Sequence, residues 1–188
     1  MTTCAAAVDE AGFRSLMARF ATGVTVITST STGTGTGGPA GMTANAVASL
    51  SLDPLLVMAG FDLRSRTLAA VRQSRRFAVN VLASDQEEVS RIFASKQPEP
   101  EKFTGCTYRD RGGVPVIDGA LAWVCCRVTA VYPGGDHVIV VGEAVQMGGN
   151  GGEPLLFYGG RYHRLDQART VGLAAGMTQP ERAARAAR

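Results

Sequence analysis

The chain has 188 residues, of which 45% are hydrophobic and 19% are charged, and its formal net charge is +3. These values are those of a soluble globular protein with one domain and a proper core. No apolar run approaches the roughly 20 residues of a membrane helix. The N-terminus lacks the basic start and long apolar segment of a secretory signal, so we expect no membrane association and a cytoplasmic location.

Metal and nucleic-acid sites are not expected either. The four cysteines form no C-x-x-C pair and the chain has two histidines, which argues against a zinc site. The adjacent Cys125 and Cys126 are interpreted as buried, reduced thiols. The basic excess lies in residues 161–188. Basic and aromatic residues are not interleaved, so no nucleic-acid partner is expected.

The first predicted elements are a helix over 9–20 and a strand over 22–30. Apolar residues at i, i+3, i+4 and i+7 indicate the helix, and β-branched residues indicate the strand. The Gly/Thr-rich segment 31–39 is predicted as a flexible hairpin loop, because it lacks the lysine of a phosphate-binding loop. Ser84 and Glu87 form a capping-box pattern for a later helix.

The remaining elements continue the alternation of short strands and few helices. A helix is predicted over 62–73, a loop over 94–119, and strands over 55–61, 77–82, 121–132, 137–147 and 155–158. Residues 133–136 are predicted as the turn between the two long strands.

This pattern predicts a mainly β fold with a few helices packed on a small antiparallel barrel. Regular βαβ alternation, as in a Rossmann sheet, is not present. We expect a flexible N-terminus over 1–8, one domain over 9–168, and a flexible Ala/Arg-rich tail over 169–188.

The stretch GMTANAVASLSLDP, residues 41–54, carries small and hydroxyl-bearing side chains between its apolar ones. Small residues let a flat ligand approach the backbone closely. Thr43, Asn45, Ser49 and Ser51 offer hydroxyl groups and an amide that suit the edge of a polar heteroaromatic ring, and Asn45 can meet both the donors and the acceptors of such a ring. The alternative is a plain strand that ends in a turn at Asp53-Pro54, and composition alone favours it.

The segment DLRSRT, residues 62–67, places two hydroxyl groups and two guanidinium groups at the start of a predicted helix. Helix N-termini bind phosphate through free N–H groups and the local dipole, and arginine adds bidentate pairing. The alternative is a capping serine flanked by two solvated arginines. The local pattern leaves both interpretations open.

The two histidines are candidates of a weaker kind. His137 follows an aspartate at a predicted turn, and His163 ends the segment GGRYH at 159–163. A lone histidine is usually structural, and nothing nearby forms a Ser/His/Asp set. The GGRYH segment combines close backbone approach, a cation and a stacking ring, which suits a second planar or phosphorylated ligand.

Seven segments in fixed order carry a resemblance over roughly residues 10–165. They are FATGVTVITS (20–29), GMTANAVASLSLDP (41–54), RFAVNVL (76–82), EKFTG (101–105), IDGALAWVCC (117–126), GGDHVIVVGEAV (134–145) and PLLFYGGRYHRL (154–165). In this order the sequence resembles the short-chain flavin reductase family, the reductase components of two-component flavin-dependent monooxygenases.

The resemblance implies a split β-barrel with antiparallel, Greek-key-like strands that binds FMN or FAD. It also implies a homodimer with the flavin near the subunit interface. In the implied reaction, NADH or NADPH delivers a hydride to the flavin, and the reduced flavin leaves for a partner monooxygenase. Such chemistry needs no acid–base dyad, because the cofactors carry it.

The resemblance further implies the site residues. The flavin-binding positions would be Gly41, Met42, Thr43, Ala44, Asn45, Ala46, Ser49, Gly60, Phe61, Asp62, Ser65, Arg66, Thr67, Ile92 and Phe93, with Ser65–Thr67 at the phosphate. The nicotinamide cofactor would contact Gly160, Arg161, Tyr162 and His163. His137 and His163 are the catalytic candidates, and no metal is implied.

Two alternatives share the fold. A pyridoxamine-phosphate-oxidase-like or haem-handling protein would carry more basic phosphate anchors or an axial histidine. A non-catalytic flavin-binding module would bind flavin without oxidising a nicotinamide cofactor. The single proline after Asp53 and the long glycine-rich loop depart from the family pattern and leave FMN against FAD open.

Overall fold

The structure is a computed structural model that describes residues 8–31 and 37–165. The expected tail at 169–188 lies outside these residues, as does the expected flexible N-terminus apart from Val8 and most of the glycine-rich loop. The helices in the described part span Glu10–Met17 (α1), Arg66–Ser74 (α2), Glu87–Ala94 (α3) and Glu99–Lys102 (α4). Its strands are Thr22–Gly23 (β1), Thr25–Ser31 (β2), Gly38–Ala44 (β3), Val47–Leu52 (β4), Leu55–Asp62 (β5), Arg76–Val81 (β6), Tyr108–Arg111 (β7), Val114–Ile117 (β8), Ala122–Gly134 (β9), His137–Gly149 (β10), Leu156–Tyr158 (β11) and Arg161–His163 (β12).

Seven of these strands form one antiparallel sheet in the order β3-β2-β6-β9-β10-β5-β4. The two outer strands, β3 and β4, are consecutive in the chain and are joined by Asn45 and Ala46. The Gly60 N–H donates to the Ala46 carbonyl at 2.8 Å, which fixes this corner against β5. The sheet therefore curls until its two edges meet at one corner, without closing by strand pairing. The prediction of a mainly β, split-barrel fold is confirmed.

The main core lies inside the curled sheet. Its largest members, Phe61 and Phe77, are fully buried, with Ile27 and Val140 beside them. Burying each such side chain stabilises the fold by roughly 1.5–3 kcal/mol. β-branched and aromatic residues at alternate strand positions produce this packing.

A second core lies between the sheet and the helices α3 and α4. Phe93 and Phe103 meet edge to face with their ring centroids 4.9 Å apart. Both phenylalanines pack against the outer strand β3, where Gly41 lies against their rings. This second core sets the distance between helix α3 and the edge of the sheet.

The predicted loop over 94–119 is partly wrong, because it contains α4, β7 and β8. Strand β8 is fixed by the fully buried Asn80 of β6. The Asn80 carboxamide accepts from Ile117 N–H at 2.9 Å and donates to the Val26 carbonyl at 3.0 Å. A buried side chain far along the chain thus stabilises a four-residue strand that has no local signature.

The predicted capping box is also wrong. Helix α3 begins at Glu87, and its N-cap residue Gln86 makes no side-chain capping bond. Glu87 pairs instead with Arg91 one turn along, at 2.6 Å. The Ser84 N–H donates to the Glu153 carbonyl, which holds Ser84 outside the helix. The helix predicted from residue 62 begins four residues later, at Arg66, because Asp62 and Arg64 form a separate turn.

Candidate functional site

A cleft of about 570 Å³ lies where β3 meets the ends of three helices. Strand β3 forms its floor, the N-terminus of α2 one wall, and the C-terminal end of α3 with α4 the other. The residues that line it are Met42, Thr43, Asp62, Arg64, Ser65, Arg66, Thr67, Phe93, Ala94, Ser95, Lys96, Glu99 and Lys102. Two arginines and two lysines against two acids make the cleft basic, which suits an anionic ligand.

The N-terminus of α2 opens into this cleft. Ser65 is the N-cap residue, and its hydroxyl accepts from Leu68 N–H at 3.3 Å. The N–H groups of Arg66 and Thr67 belong to the first turn, where a helix offers no carbonyl to them. Together with the Arg66 side chain they form an anion-binding arrangement. Ser65 therefore caps the helix, and the first turn still has N–H groups of the kind that suit a phosphate.

Asp62 and Arg64 form an ion pair at one rim of the cleft. Their side chains meet at 3.0 Å, and the Arg64 N–H donates to Asp62 Oδ1 at 2.7 Å. These hydrogen bonds lower the pKa of Asp62 to about 2. His137 lies opposite Asp62 in the register of β5 and β10, with its Nδ1 2.8 Å from Asp136 Oδ1. His137 is therefore at the rim of the cleft and exposed, rather than among its lining residues.

A buried charge cluster joins α4 to β3. Lys102 is 4% exposed, and its Nζ donates to the Gly41 carbonyl at 3.1 Å and lies 3.3 Å from Glu99. Glu99 also accepts from Gly41 N–H at 2.8 Å and pairs with Arg66 at 3.3 Å. The site prediction did not include Glu99 or Lys102. The EKFTG segment was a possible signal, but no spacing rule connects it with Arg66.

Thr43 occupies the centre of the site. Gly41 turns both of its backbone polar groups away from β2, toward Glu99 and Lys102. The backbone N–H groups of an antiparallel strand point alternately to its two sides. Thr43 lies two residues after Gly41, so its N–H points the same way, to the free edge of β3 and into the cleft. The Thr43 hydroxyl donates to the Ser90 carbonyl at 2.6 Å, which fixes α3 above the strand.

A smaller cavity of about 200 Å³ continues from Thr43 and Ala94, which border both spaces. Its remaining lining residues are Val24, Ala44, Asn45, Phe157 and Tyr162. Tyr162 is held by a 2.9 Å hydrogen bond to Ser90 and by the Arg91 guanidinium 5.0 Å from its ring centroid. The structure thus brings the predicted segments 42–45, 62–67 and Tyr162 around one elongated cleft.

Other predicted positions serve packing. A Cβ on Gly41 would lie 2.6 Å from Phe93 Cε1, so glycine is required there by the ring behind it. Phe61 is fully buried in the main core, and its side chain is not available to a ligand. Ile92 packs in the second core.

The last predicted positions lie around the corner of the sheet and at its surface. Gly60 and Ala46 hold the corner itself, and Ser49 lies exposed on β4. Gly160 forms the turn before β12 with a φ of 78°, and Arg161 is exposed beyond it. His163 contacts the Tyr158 carbonyl at 3.2 Å and so braces this turn beside Tyr162.

Nucleophilic cysteine chemistry has no support. Cys106, Cys125 and Cys126 are free and buried, and burial raises the pKa of Cys125 to about 11 and that of Cys126 to about 12. Among the described residues, no group of three or more histidine, cysteine or acidic side chains is arranged to hold a metal ion. None of the helices in that part of the chain is long and apolar enough to cross a membrane.

The cleft is basic along the outer strand of a curled antiparallel sheet, with a helix N-terminus at one end and an aromatic pocket at the other. This arrangement suits the binding of planar, phosphorylated cofactors. The chain belongs to the flavin reductase-like family, since the model of the flavin reductase like domain matches residues 17–166. The resemblance predicted from the sequence is confirmed.

Individual relatives agree with this assignment. The chain is 39% identical over 153 residues to an NADH-dependent flavin reductase of Rhodococcus sp, covering 81% of this chain and 85% of the relative. It is 39% identical over 170 residues to the reductase subunit HsaB of a flavin-dependent monooxygenase of Mycobacterium tuberculosis, covering 88% of each. A crystal structure of a nitrilotriacetate monooxygenase component B homologue from Mycobacterium thermoresistibile superimposes with a TM-score of 0.81 at 37% identity, covering 88% of this chain and 91% of the other.

Proposed function

We propose that this protein is an NAD(P)H:flavin oxidoreductase that reduces FMN or FAD and releases the reduced flavin to a partner monooxygenase. The observation that carries the proposal is the continuity of the basic cleft with the aromatic pocket at Thr43 and Ala94. The phosphate of a flavin can occupy the basic end of the cleft at α2, while the ring of a nicotinamide cofactor enters from the aromatic pocket. The named relatives, an NADH-dependent flavin reductase and a monooxygenase reductase subunit, support the same reaction.

The residues present fit a flavin. The phosphate is assigned to the N-terminus of α2, where Ser65, Arg66 and Thr67 meet. The ring system is assigned to the floor of the cleft over Met42 and Thr43. Met42 offers a polarisable thioether, whose sulfur lies 3.2 Å from the Ser65 hydroxyl, and such side chains pack well against rings.

When bound, the flavin supplies a centre that accepts a hydride from the nicotinamide cofactor. Thr43 is proposed to present its N–H to the polar edge of the ring, where negative charge develops on reduction, as donors do in an oxyanion-type site. Phe93 excludes water from the inner wall, because it is 1% exposed and still borders the cleft. Tyr162 positions the second ring, since both its hydroxyl group and its ring face are held by α3.

The two histidines are assigned to opposite ends of the cleft. His163 braces the turn that carries Tyr162, and we propose that it contacts the nicotinamide cofactor together with Gly160 and Arg161. His137 lies beside Asp62 at the other rim, where it can approach the flavin from the solvent side. Neither histidine is required as an acid or base for hydride transfer.

A homodimer is proposed for the functional state. The outer face of the sheet over β5, β9 and β10 exposes Met58 (36%), Tyr132 (56%) and Ile139 (39%). These residues are neighbours, since Ile139 pairs with Tyr132 on one side and with Gly60 on the other, and Met58 lies two positions from Gly60 on the same face. Apolar patches of this kind mark interaction surfaces.

The free thiols Cys106, Cys125 and Cys126 suit a reducing compartment, and we propose the cytoplasm.

The dimer proposal has a direct test. Size-exclusion chromatography with light scattering is expected to give twice the monomer mass at micromolar concentration. The variant Tyr132→Lys with Met58→Glu places charges on this face and is expected to shift the protein toward monomers. A native protein that remains monomeric at these concentrations would overturn the proposal.

The reaction is tested with purified protein, NADH or NADPH, and added riboflavin, FMN or FAD. Nicotinamide oxidation is expected to rise with the concentration of free flavin. A rate no higher than that of a protein-free mixture would reject the reductase, and tight flavin binding without turnover would then favour a flavin-binding module. Asn45→Leu, which changes an exposed residue of the aromatic pocket, is expected to weaken flavin use without unfolding the protein.

A further inference from the structure

A separate cavity of about 220 Å³ lies between the hairpin of β7 and β8 and strand β9. The residues that line it are Arg109, Arg111, Val116, Ile117, Asp118, Gly119, Trp123 and Asn150. None of them lines the main cleft or the aromatic pocket that continues from it. The cavity is therefore a space that the proposed flavin reaction does not use.

Both arginines start from the face of the hairpin that is turned toward the sheet. Arg109 pairs with Val116 and Arg111 with Val114 across the hairpin, and directly paired residues share one face. The two valines are buried in a small core against which Trp123 of β9 packs. The arginines therefore lie along an apolar layer, and both are exposed at its rim.

Arg111 supplies a positive charge without a counter-ion. Among the residues that the structure describes, it forms no ion pair, and its guanidinium lies 5.8 Å from the centroid of the Trp123 ring. The Nε of Arg109 lies 3.0 Å from an oxygen of Asp118, so this aspartate neutralises one arginine. Two arginines against one aspartate leave one net positive charge in the cavity, which attracts an anion.

Trp123 and Asn150 give the cavity a fixed aromatic wall and a fixed polar group. The indole lies against Gly148 of β10, where a Cβ would come within 2.7 Å of the ring. The Asn150 Nδ2 donates to the Ala120 carbonyl at 2.9 Å. This bond orients the carboxamide, and its oxygen has no hydrogen-bond partner among the described residues. A cation, a ring and an acceptor are thus held around one small space.

We propose that this cavity binds a small aromatic carboxylate. The carboxylate group is assigned to Arg111 and Arg109, because a guanidinium pairs with a carboxylate in a planar, bidentate geometry. The ring is assigned to the space beside Trp123 and Val116, since aromatic rings in contact stack with an offset or meet edge to face. An inorganic anion would leave these apolar walls without a partner.

The volume of the cavity also indicates a ligand with one ring. A cavity of about 150 Å³ lined by apolar side chains holds benzene, whereas drug-sized ligands occupy pockets of about 300 Å³ or more. The cavity of about 220 Å³ lies between these limits. It therefore fits a single ring with its carboxylate and one further substituent, which Asn150 can meet as an acceptor.

The fluorescence of Trp123 provides a direct test, because this is the only tryptophan in the sequence. Benzoate is titrated into the full-length protein without added flavin, and the emission is expected to change saturably with a Kd below about 1 mM. Benzamide has the ring without the charge, and acetate has the charge without the ring. Each is expected to bind at least about tenfold more weakly than benzoate.

Substitutions of Arg111 test the assignment of the carboxylate. Arg111→Gln is expected to raise the Kd for benzoate about tenfold, whereas Arg111→Lys retains the charge and should raise it less. Arg72→Gln is the matched control, because it removes an exposed arginine outside this cavity and should leave the Kd unchanged. Isothermal titration calorimetry measures the same affinities without the tryptophan signal, and circular dichroism verifies that each variant is folded.

The absence of a saturable response to benzoate would overturn the proposal. Benzoate binding that is unchanged in Arg111→Gln, or benzamide binding as tight as that of benzoate, would also overturn it, because the charge would then play no part. Acetate or sulfate binding as tight as that of benzoate would show a site for any small anion and exclude the aromatic ligand. The titrations use neither flavin nor nicotinamide, so their outcome is independent of the proposed reductase function.

Discussion

The hydroxyl groups of Tyr162 and Ser90 lie 2.9 Å apart and connect strand β12 to helix α3. Ser90 is fully buried, and its carbonyl also accepts from the Thr43 hydroxyl. One serine thus links the edge strand under the proposed flavin ring with the tyrosine proposed to receive the nicotinamide. The separation of the two ends of the cleft is set by this residue.

Tyr162→Phe and Ser90→Ala are expected to be coupled. Each removes one partner of the same hydrogen bond, so a double-mutant cycle in urea denaturation should give an interaction energy of about 1 kcal/mol. Tyr162→Phe should also raise KM for NADH more than it lowers kcat, because the ring remains but is less well held. Tyr158→Phe, which alters an exposed tyrosine on β11, serves as the control. Strictly additive effects would show that the two hydroxyl groups do not interact in solution.

Gly41→Ala is expected to destabilise the protein by about 1–3 kcal/mol. The added methyl would lie 2.6 Å and 2.8 Å from two carbons of Phe93, whose ring is 1% exposed and must shift to make room. Gly38→Ala on the same strand is the matched control, since a Cβ there meets nothing within 4 Å. Urea denaturation compares the free energies of unfolding. Equal losses of unfolding free energy in the two variants would show that strand propensity, and not the contact with Phe93, causes the destabilisation.

Arg66→Ala is expected to raise the Kd for FMN about tenfold, because it removes a charge-assisted contact to the phosphate. The affinity of the native protein should fall with added salt more steeply than that of the variant. Arg72→Ala removes an exposed arginine of α2 that does not line the cleft and should leave the Kd unchanged. Flavin fluorescence titrations at two salt concentrations measure both effects. An unchanged Kd in Arg66→Ala would show that the phosphate does not bind at the N-terminus of α2.

Asp62→Asn is expected to lower stability at pH 7, with an effect that disappears in acid. Hydrogen bonds from Arg64 lower the pKa of Asp62 from its ordinary value of 3.8 to about 2 in the folded protein. A lowered folded-state pKa means that the contribution is present above about pH 4 and is lost as the pH falls toward about 2. Urea midpoints measured between pH 7 and pH 2.5 should therefore converge. Asp85→Asn changes an exposed carboxylate that forms no ion pair with the described residues, and it should show no such convergence. Parallel curves for Asp62→Asn would contradict the assignment.

Much of the sheet could be predicted from the sequence because its strands carry a local signal. The segments around Phe61, Phe77 and Val140 are β-branched and apolar, and their boundaries were approximately correct. The short strands β7, β8 and β12 were missed, since three or four residues carry little propensity of their own. Strand β8 depends on Asn80, a contact across 37 positions of the chain, which no local pattern reports.

The sequence predicted the segments that face the ligand, but it did not predict the residues that hold those segments in place. Ser65 and Arg66 are adjacent, so the anion-binding helix start could be recognised locally. The Glu99–Lys102 pair could not, because its purpose is clear only once Gly41 and Arg66 are seen beside it. Gly41 shows the converse: its small size suggested ligand approach, whereas the ring of Phe93 lies at its Cβ position.

Strand β3 is an outer strand, and such a strand invites pairing with another polypeptide. Here Glu99 and Lys102 bond both backbone groups of Gly41, so a foreign strand finds neither of them free. The backbone around Thr43 stays open to the cleft, and this stretch is too short to nucleate a ladder. The ligand that rests there would complete the protection, so loss of cofactor should increase self-association at high protein concentration.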